Sequence, residues 1–143
     1  TTATYDDILA WYKKYLGNYL KVSKLEQQPD TENLLIYFND GSVLRIANYI
    51  YDMAFYTEAK YLDTNLRKTG VNYFAFRIFP YRNGKMDTSD PLFQPYTYNW
   101  DGSIESLKNQ SIFGCYTTSN KNNCAKLIQV SGWKIPKDYP YKF

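Results

Sequence analysis

The chain has 143 residues, with 17 Lys and Arg against 14 Asp and Glu, a formal charge of +3 and no histidine. Lacking histidine, it lacks the commonest general base and the commonest metal ligand, which disfavours most hydrolase mechanisms. The basic residues stand in ones and twos, which leaves no nucleic-acid footprint. Tyrosine is abundant, 16 residues beside 8 Phe and 3 Trp; these rings bury area, and those of Tyr and Trp keep a polar tip.

A chain of this length supports one core, and no linker or repeat divides it, so a single domain over residues 1–143 is expected. No apolar run reaches the roughly 18 to 20 residues of a membrane-spanning helix, and residues 1–20 lack the layout of a signal peptide.

Residues 4–22 place Tyr5, Ile8, Leu9, Tyr12, Tyr15, Leu16, Tyr19 and Leu20 at helical spacing. Thr4 fits an N-cap, and Asp6 and Asp7 suit the first turn. Asp6, Lys13, Lys14, Asn18 and Lys21 fall on the other side. The periodicity therefore predicts an amphipathic helix that packs through Ile8, Leu9, Tyr12, Tyr15, Leu16 and Tyr19.

After Pro29, the runs Asn33 to Phe38 and Ser42 to Ala47 flank Asn39-Asp40-Gly41 and predict a β-hairpin, since Asp-Gly is a preferred turn pair. Further strands are expected at residues 49–56 and 72–79, the second alternating Phe74, Phe76 and Ile78 against Tyr73, Ala75 and Arg77. Arg67-Lys68 is expected in a solvated loop, Arg82-Asn83-Gly84 in a turn, and Asp87 to Pro95 in a polar loop. Short helices are predicted over residues 103–108, after an Asp101-Gly102 turn, and over 123–130. A helix, then an antiparallel sheet, then a loop-rich end make an α+β fold.

Cys115 and Cys124 are the only cysteines and close a polar loop. A disulfide is expected in an oxidising compartment. Two thiolates without histidine leave a zinc site half empty, and a catalytic cysteine would lack its base. Asp63-Thr64-Asn65, with Lys68, Gly70 and Asn72, gathers short oxygen-bearing side chains of the kind calcium takes. Such residues also stabilise turns through their own backbone, and the turn is preferred. No cofactor is expected beyond that calcium alternative at Asp63 and Asn65. With no phosphate loop, nucleophile motif or spaced carboxylate pair, the chain is not expected to be an enzyme.

Three stretches carry a resemblance. The ending CAKLIQVSGWKIPKDYP supplies Cys124, Ile128, Gly132, Trp133, Lys134, Ile135, Asp138, Tyr139 and Pro140. YLDTNLRKTGVNYFAFRI supplies Asp63, Asn65, Gly70, Asn72, Phe74 and Phe76, and YNWDG supplies Trp100, Asp101 and Gly102. Together they resemble signatures of bacterial prepilin-type proteins, the pilins of type IV pili and the pseudopilins of type II secretion. The Asp-x-Asn loop departs from those relatives in having Leu66 where glycine often stands, which weakens a borrowed calcium role.

The resemblance implies a pilin-like head whose first helix is the amphipathic half of a longer one, with a hydrophobic membrane-anchoring half upstream. The helix is then expected to lie on the sheet with its N-terminal end projecting. The implied partners are other pilin-like subunits and the inner-membrane assembly machinery, and the implied location is the cell envelope or a surface filament. The disulfide loop is expected to form a stiff exposed edge, and Trp133 to be a core ring within a segment that locks the C-terminus onto the sheet. A small envelope adhesin or carbohydrate-binding module is the alternative, with surface Tyr and Trp as contacts.

Overall fold

The computed structural model describes residues 3–48, 52–62, 67–77, 81–82, 85–86, 94–95, 97, 100–117 and 121–142. It opens with helix α1, Tyr5–Tyr15. A capping box starts the helix: Thr4 Oγ1 accepts from Asp7 N at 3.2 Å, and Asp7 Oδ2 accepts from Thr4 N at 3.1 Å. Those bonds hold the Asp7 carboxyl below its usual range. Asp6 and Asp7 at the start and Lys13 and Lys14 at the end complement the helix dipole.

Three expectations for α1 are corrected. The helix stops at Tyr15, where Leu16 N and Gly17 N both turn onto Tyr12 O. Tyr15 is 52% exposed and Tyr19 84%, so neither belongs to the buried stripe. Ile8 and Tyr12 carry the packing, with Leu9 and Leu16 partly buried beside them. Nor does the start of the helix project. Ala3 N donates to Asn48 O at 2.6 Å and Tyr5 N to Glu32 Oε2 at 2.6 Å, and Thr4 is extended.

The main sheet has six antiparallel strands in the order β1 (Lys24–Gln27), β2 (Leu34–Tyr37), β3 (Val43–Ile46), β4 (Asp52–Tyr56), β5 (Tyr73–Arg77) and β8 (Gln94–Pro95). The two short strands β6 (Tyr81–Arg82) and β7 (Lys85–Met86) pair separately. A 3-10 turn spans Ala59–Leu62. Helices α2 (Ile104–Asn109) and α3 (Cys124–Val130) follow.

The β2–β3 hairpin forms where the sequence places it. Phe38 N donates to Ser42 O across the three intervening residues, and Gly41, with φ +88°, takes the left-handed position such a loop requires. Asp40 Oδ1 accepts from Ser42 N at 2.9 Å and from Ser42 Oγ at 2.6 Å, which fixes the turn. Strand β1 was not expected. It is an edge strand whose charged residues engage Tyr37: Lys24 lies 4.4 Å from the ring centroid, and the phenol donates to Glu26 at 2.8 Å. Burial and that carboxylate push the Tyr37 pKa up to about 12. At the other edge Pro95 stands opposite Phe76, in a strand where a polar loop was expected. Edge pairing tolerates its missing N–H. The expectations at residues 49–51, 78–79, 83–84 and 87–93 lie outside the described residues.

Side chains alternate across the sheet. One face presents Leu34, Ile36, Ile46 and Met53 to Ile8 and Tyr12 of α1. The other presents Ala54, Tyr56, Tyr73 and Ala75, packed with Leu62. The C-terminal unit approaches this second side through α3, which contacts β5 and β8. Among the described residues no helix is long and apolar enough to cross a membrane.

Candidate functional site: a junction built on the disulfide

Cys115 and Cys124 are bonded and fully buried. Local chemistry brings them together. Ser103 caps α2, its Oγ accepting from Ser106 N at 3.1 Å, and Asp101 Oδ1 in turn accepts from Ser103 N and Oγ. Those bonds lower the Asp101 carboxyl pKa. After α2, Gly114 passes so close that a Cβ would lie 2.6 Å from Lys108 O. Cys115 N then donates to Leu107 O at 2.8 Å. Leu107 and Leu127 pack around the bridge, with Trp100, Tyr116 and Tyr139 at its margin.

Two distant segments close on this bridge. Gly70, with φ +74°, lies where a Cβ would overlap Cys124 Sγ. Tyr139 reaches the same point, its hydroxyl donating to Thr69 O and standing 3.8 Å from Cys115 Sγ. Its ring meets Tyr116 and Tyr141 edge-on at 5.9 and 5.6 Å. Beside it, Asp138 accepts from Lys108 Nζ and from the Tyr116 hydroxyl, each at 2.8 Å. The lysine, then the phenol, hold the Asp138 carboxyl below its usual range. Burial raises the phenol pKa of Tyr139 and of Tyr116, with further contributions from Tyr141 and Asp138 respectively.

A buried cation layer ties the junction to the sheet. Lys121 is 6% exposed and donates at 2.7 Å to both Arg67 O and Lys68 O, and burial lowers its pKa. Arg67 is 4% exposed, so the solvated loop expected of Arg67-Lys68 is corrected for Arg67, while Lys68 is exposed. Its guanidinium stacks 3.5 Å from the Tyr73 centroid and donates to Asn122 Oδ1 at 3.0 Å and to the Tyr56 hydroxyl at 3.3 Å. Lys121 and Asn123 are buried and Tyr116, Thr117 and Asn122 half-buried, so the described part of the disulfide loop is not the exposed edge expected.

Among the residues singled out in the sequence, the fold brings Gly70, Cys115, Cys124 and Tyr139 to one point and seats Trp100 at its rim. Asn72 is buried nearby in sequence, its carbonyl accepting from Thr57 N at 3.2 Å. Asp101 and Gly102 stay in the exposed turn before α2. Gly132 and Trp133 follow α3 with φ +78° and +59°. Trp133 N donates to Ile128 O at 2.9 Å while its ring is 61% exposed, which corrects the expected core ring. Pro140 is exposed. Asp63 and Asn65, the calcium alternative, lie outside the described residues, and no group of three or more His, Cys, Asp or Glu that could hold a metal occurs among those described. Arg67, Lys121, Tyr116 and Asn122 were not anticipated as site residues. The one signal for them was the high tyrosine count.

These features define an α+β protein with a six-stranded antiparallel sheet, a helix on one face and a disulfide-pinned C-terminal unit. The chain belongs to a family of unknown function, DUF6613, whose model matches residues 1–143. No curated protein and no solved structure matches it.

Proposed function

We propose that this chain is the head of a pilin-like structural subunit, which works by assembly into a type IV pilus or type II secretion pseudopilus and carries out no catalysis. One observation carries the proposal. Two of the segments that resemble prepilin-type signatures, separated in sequence, meet at the disulfide as Gly70, Cys124 and Tyr139. A shared signature that converges on one structural knot is what a conserved head architecture requires. The helix on the antiparallel sheet suits the same plan, and a buried disulfide suits an exported domain. In this reading a hydrophobic helix upstream joins α1 through the extended backbone at Thr4. The exposed rings of Tyr15, Tyr19 and Trp133 then supply contact area between subunits.

The test is to express the complete gene product with and without a prepilin peptidase. Peptidase-dependent removal of a short leader, and recovery of the protein in sheared fibres or the inner membrane, are the expected results. A protein released to the medium after ordinary signal-peptide cleavage would overturn the proposal.

A further inference from the structure

On the sheet face turned away from α1, Arg45, Ala54 and Ala75 stand side by side in one cross-strand row over β3, β4 and β5. Two methyl groups next to a long side chain leave a hollow of about 200 Å³, lined also by Asp52, Tyr73 and Asn122. Pockets for drug-sized ligands run to roughly 300–1,000 Å³, so this one admits only something of monosaccharide size.

Its electrostatics favour an anion. The Arg45 guanidinium lies 5.5 Å from the Tyr56 ring centroid, which orients it without neutralising it. Its Nε is buried with no acceptor, and no hydrogen bond or ion pair to the guanidinium is present among the described residues. Buried donors of a charged group are rarely left in that state. Arg67 approaches the same ring at 5.9 Å but is already bonded to Asn122 and Tyr56. Counting Arg67, which stands outside the lining, two guanidiniums surround one ring against a single lining carboxylate, Asp52, and the balance is positive. Because Asn122 Oδ1 accepts from Arg67, its amide nitrogen remains a donor.

We propose that this hollow binds a small hydroxy acid of the sugar-acid class through its carboxylate. The Arg45 fork grips both carboxylate oxygens, a geometry that guanidinium matches and ammonium does not. The Asn122 amide donates a further bond, Asp52 accepts from a ligand hydroxyl, and the carbon skeleton lies on Ala54 and Ala75. The inference stands whether or not the chain assembles into filaments.

Titration of the isotopically labelled chain with sodium glucuronate, followed by nuclear magnetic resonance, tests it, with glucose as the uncharged control. Saturable shifts confined to Arg45, Ala54, Ala75 and Asn122 are expected with glucuronate and not with glucose. Arg45→Gln should weaken binding about tenfold or more while leaving the rest of the spectrum in place. Should that variant fail to fold, Asn122→Asp keeps the acceptor for Arg67 and sets a carboxylate against the ligand, so it should weaken binding as well. Equal responses to glucose and glucuronate, no saturable shift, or a folded variant at either position that titrates like the parent would overturn the proposal.

Discussion

Gly70 occupies the space in which a side chain would meet Cys124, and its backbone is left-handed at φ +74°. Two penalties therefore fall on Gly70→Ala. The left-handed conformation costs an L-residue roughly 1–2 kcal/mol, and forcing atoms into a packed site typically costs about 1–3 kcal/mol more. A loss of about 2–5 kcal/mol is expected in urea unfolding. Gly41→Ala is the control, since Gly41 has φ +88° with nothing within 4 Å of a Cβ. It should lose only the conformational part, and equal losses at the two sites would show that the disulfide does not crowd Gly70.

Removal of the bridge by the double substitution Cys115→Ala and Cys124→Ala opens a short loop. The chain-entropy model assigns about 2.5 to 3 kcal/mol to a loop of this length. Thermal unfolding should shift down accordingly, with the native sheet signal retained at low temperature. Both sulfurs are fully buried, so a mild reductant should open the bridge in the parent only at the rate of unfolding. Fast reduction without unfolding would contradict the burial.

Lys121→Met removes the donor shared by the Arg67 and Lys68 carbonyls. The aliphatic stem is kept, and the loss reports chiefly the two carbonyls left without that donor, about 1–3 kcal/mol for each buried group left unsatisfied. Relief of the burial of a charged amine offsets part of it. Lys68→Met, at an exposed neighbour, should stay within about 0.5 kcal/mol of the parent. Chemical denaturation of the two variants side by side decides.

The pH dependence has a definite sign. Burial raises the phenol pKa values of Tyr139, Tyr116 and Tyr141 above their ordinary value of 10.0. A raised folded-state value means that stability is fully present below the unfolded value and is lost as pH rises through the folded one. The domain should thus weaken progressively above about pH 10. Tyr139→Phe should flatten that decline. Lys121 acts oppositely, because its folded-state pKa is lowered from 10.5; it adds stability as pH rises toward that unfolded value, and Lys121→Met should remove this rise. Stability measured at a series of alkaline pH values checks both directions.

The elements whose information is local were legible in the sequence. The β2–β3 hairpin follows from Asp40-Gly41 between apolar runs, and the short helix α2 from its place behind the Asp101-Gly102 turn. The end of α1 was not, because the apolar spacing continues through Gly17 to Tyr19 although the backbone leaves the helix at Leu16. Ile8→Ala, at a fully buried position, should therefore cost about 2–5 kcal/mol, while Tyr19→Ala should cost under about 0.5 kcal/mol. Heat denaturation of the pair measures this contrast. Strand β1 has one apolar residue in four, Leu25, and exists through its pairing with β2. At the junction, the cysteines could be paired from the chain alone. The burial of Arg67 could not, since the rings of Tyr56 and Tyr73 and the Asn122 amide that receive it come from three other places in the sequence.

The closure by Tyr139 also orders events in time. Its hydroxyl reaches a carbonyl 70 residues upstream, and Tyr141 reaches one 24 residues upstream, whereas the cysteines are 9 apart. Contacts of short separation form first, and distant ones wait on the loops between them. A ribosome delivers Asp138, Tyr139 and Tyr141 after nearly everything they touch. The segment from Asp138 to Tyr141 is thus a latch that closes over a sheet and a bridge delivered before it.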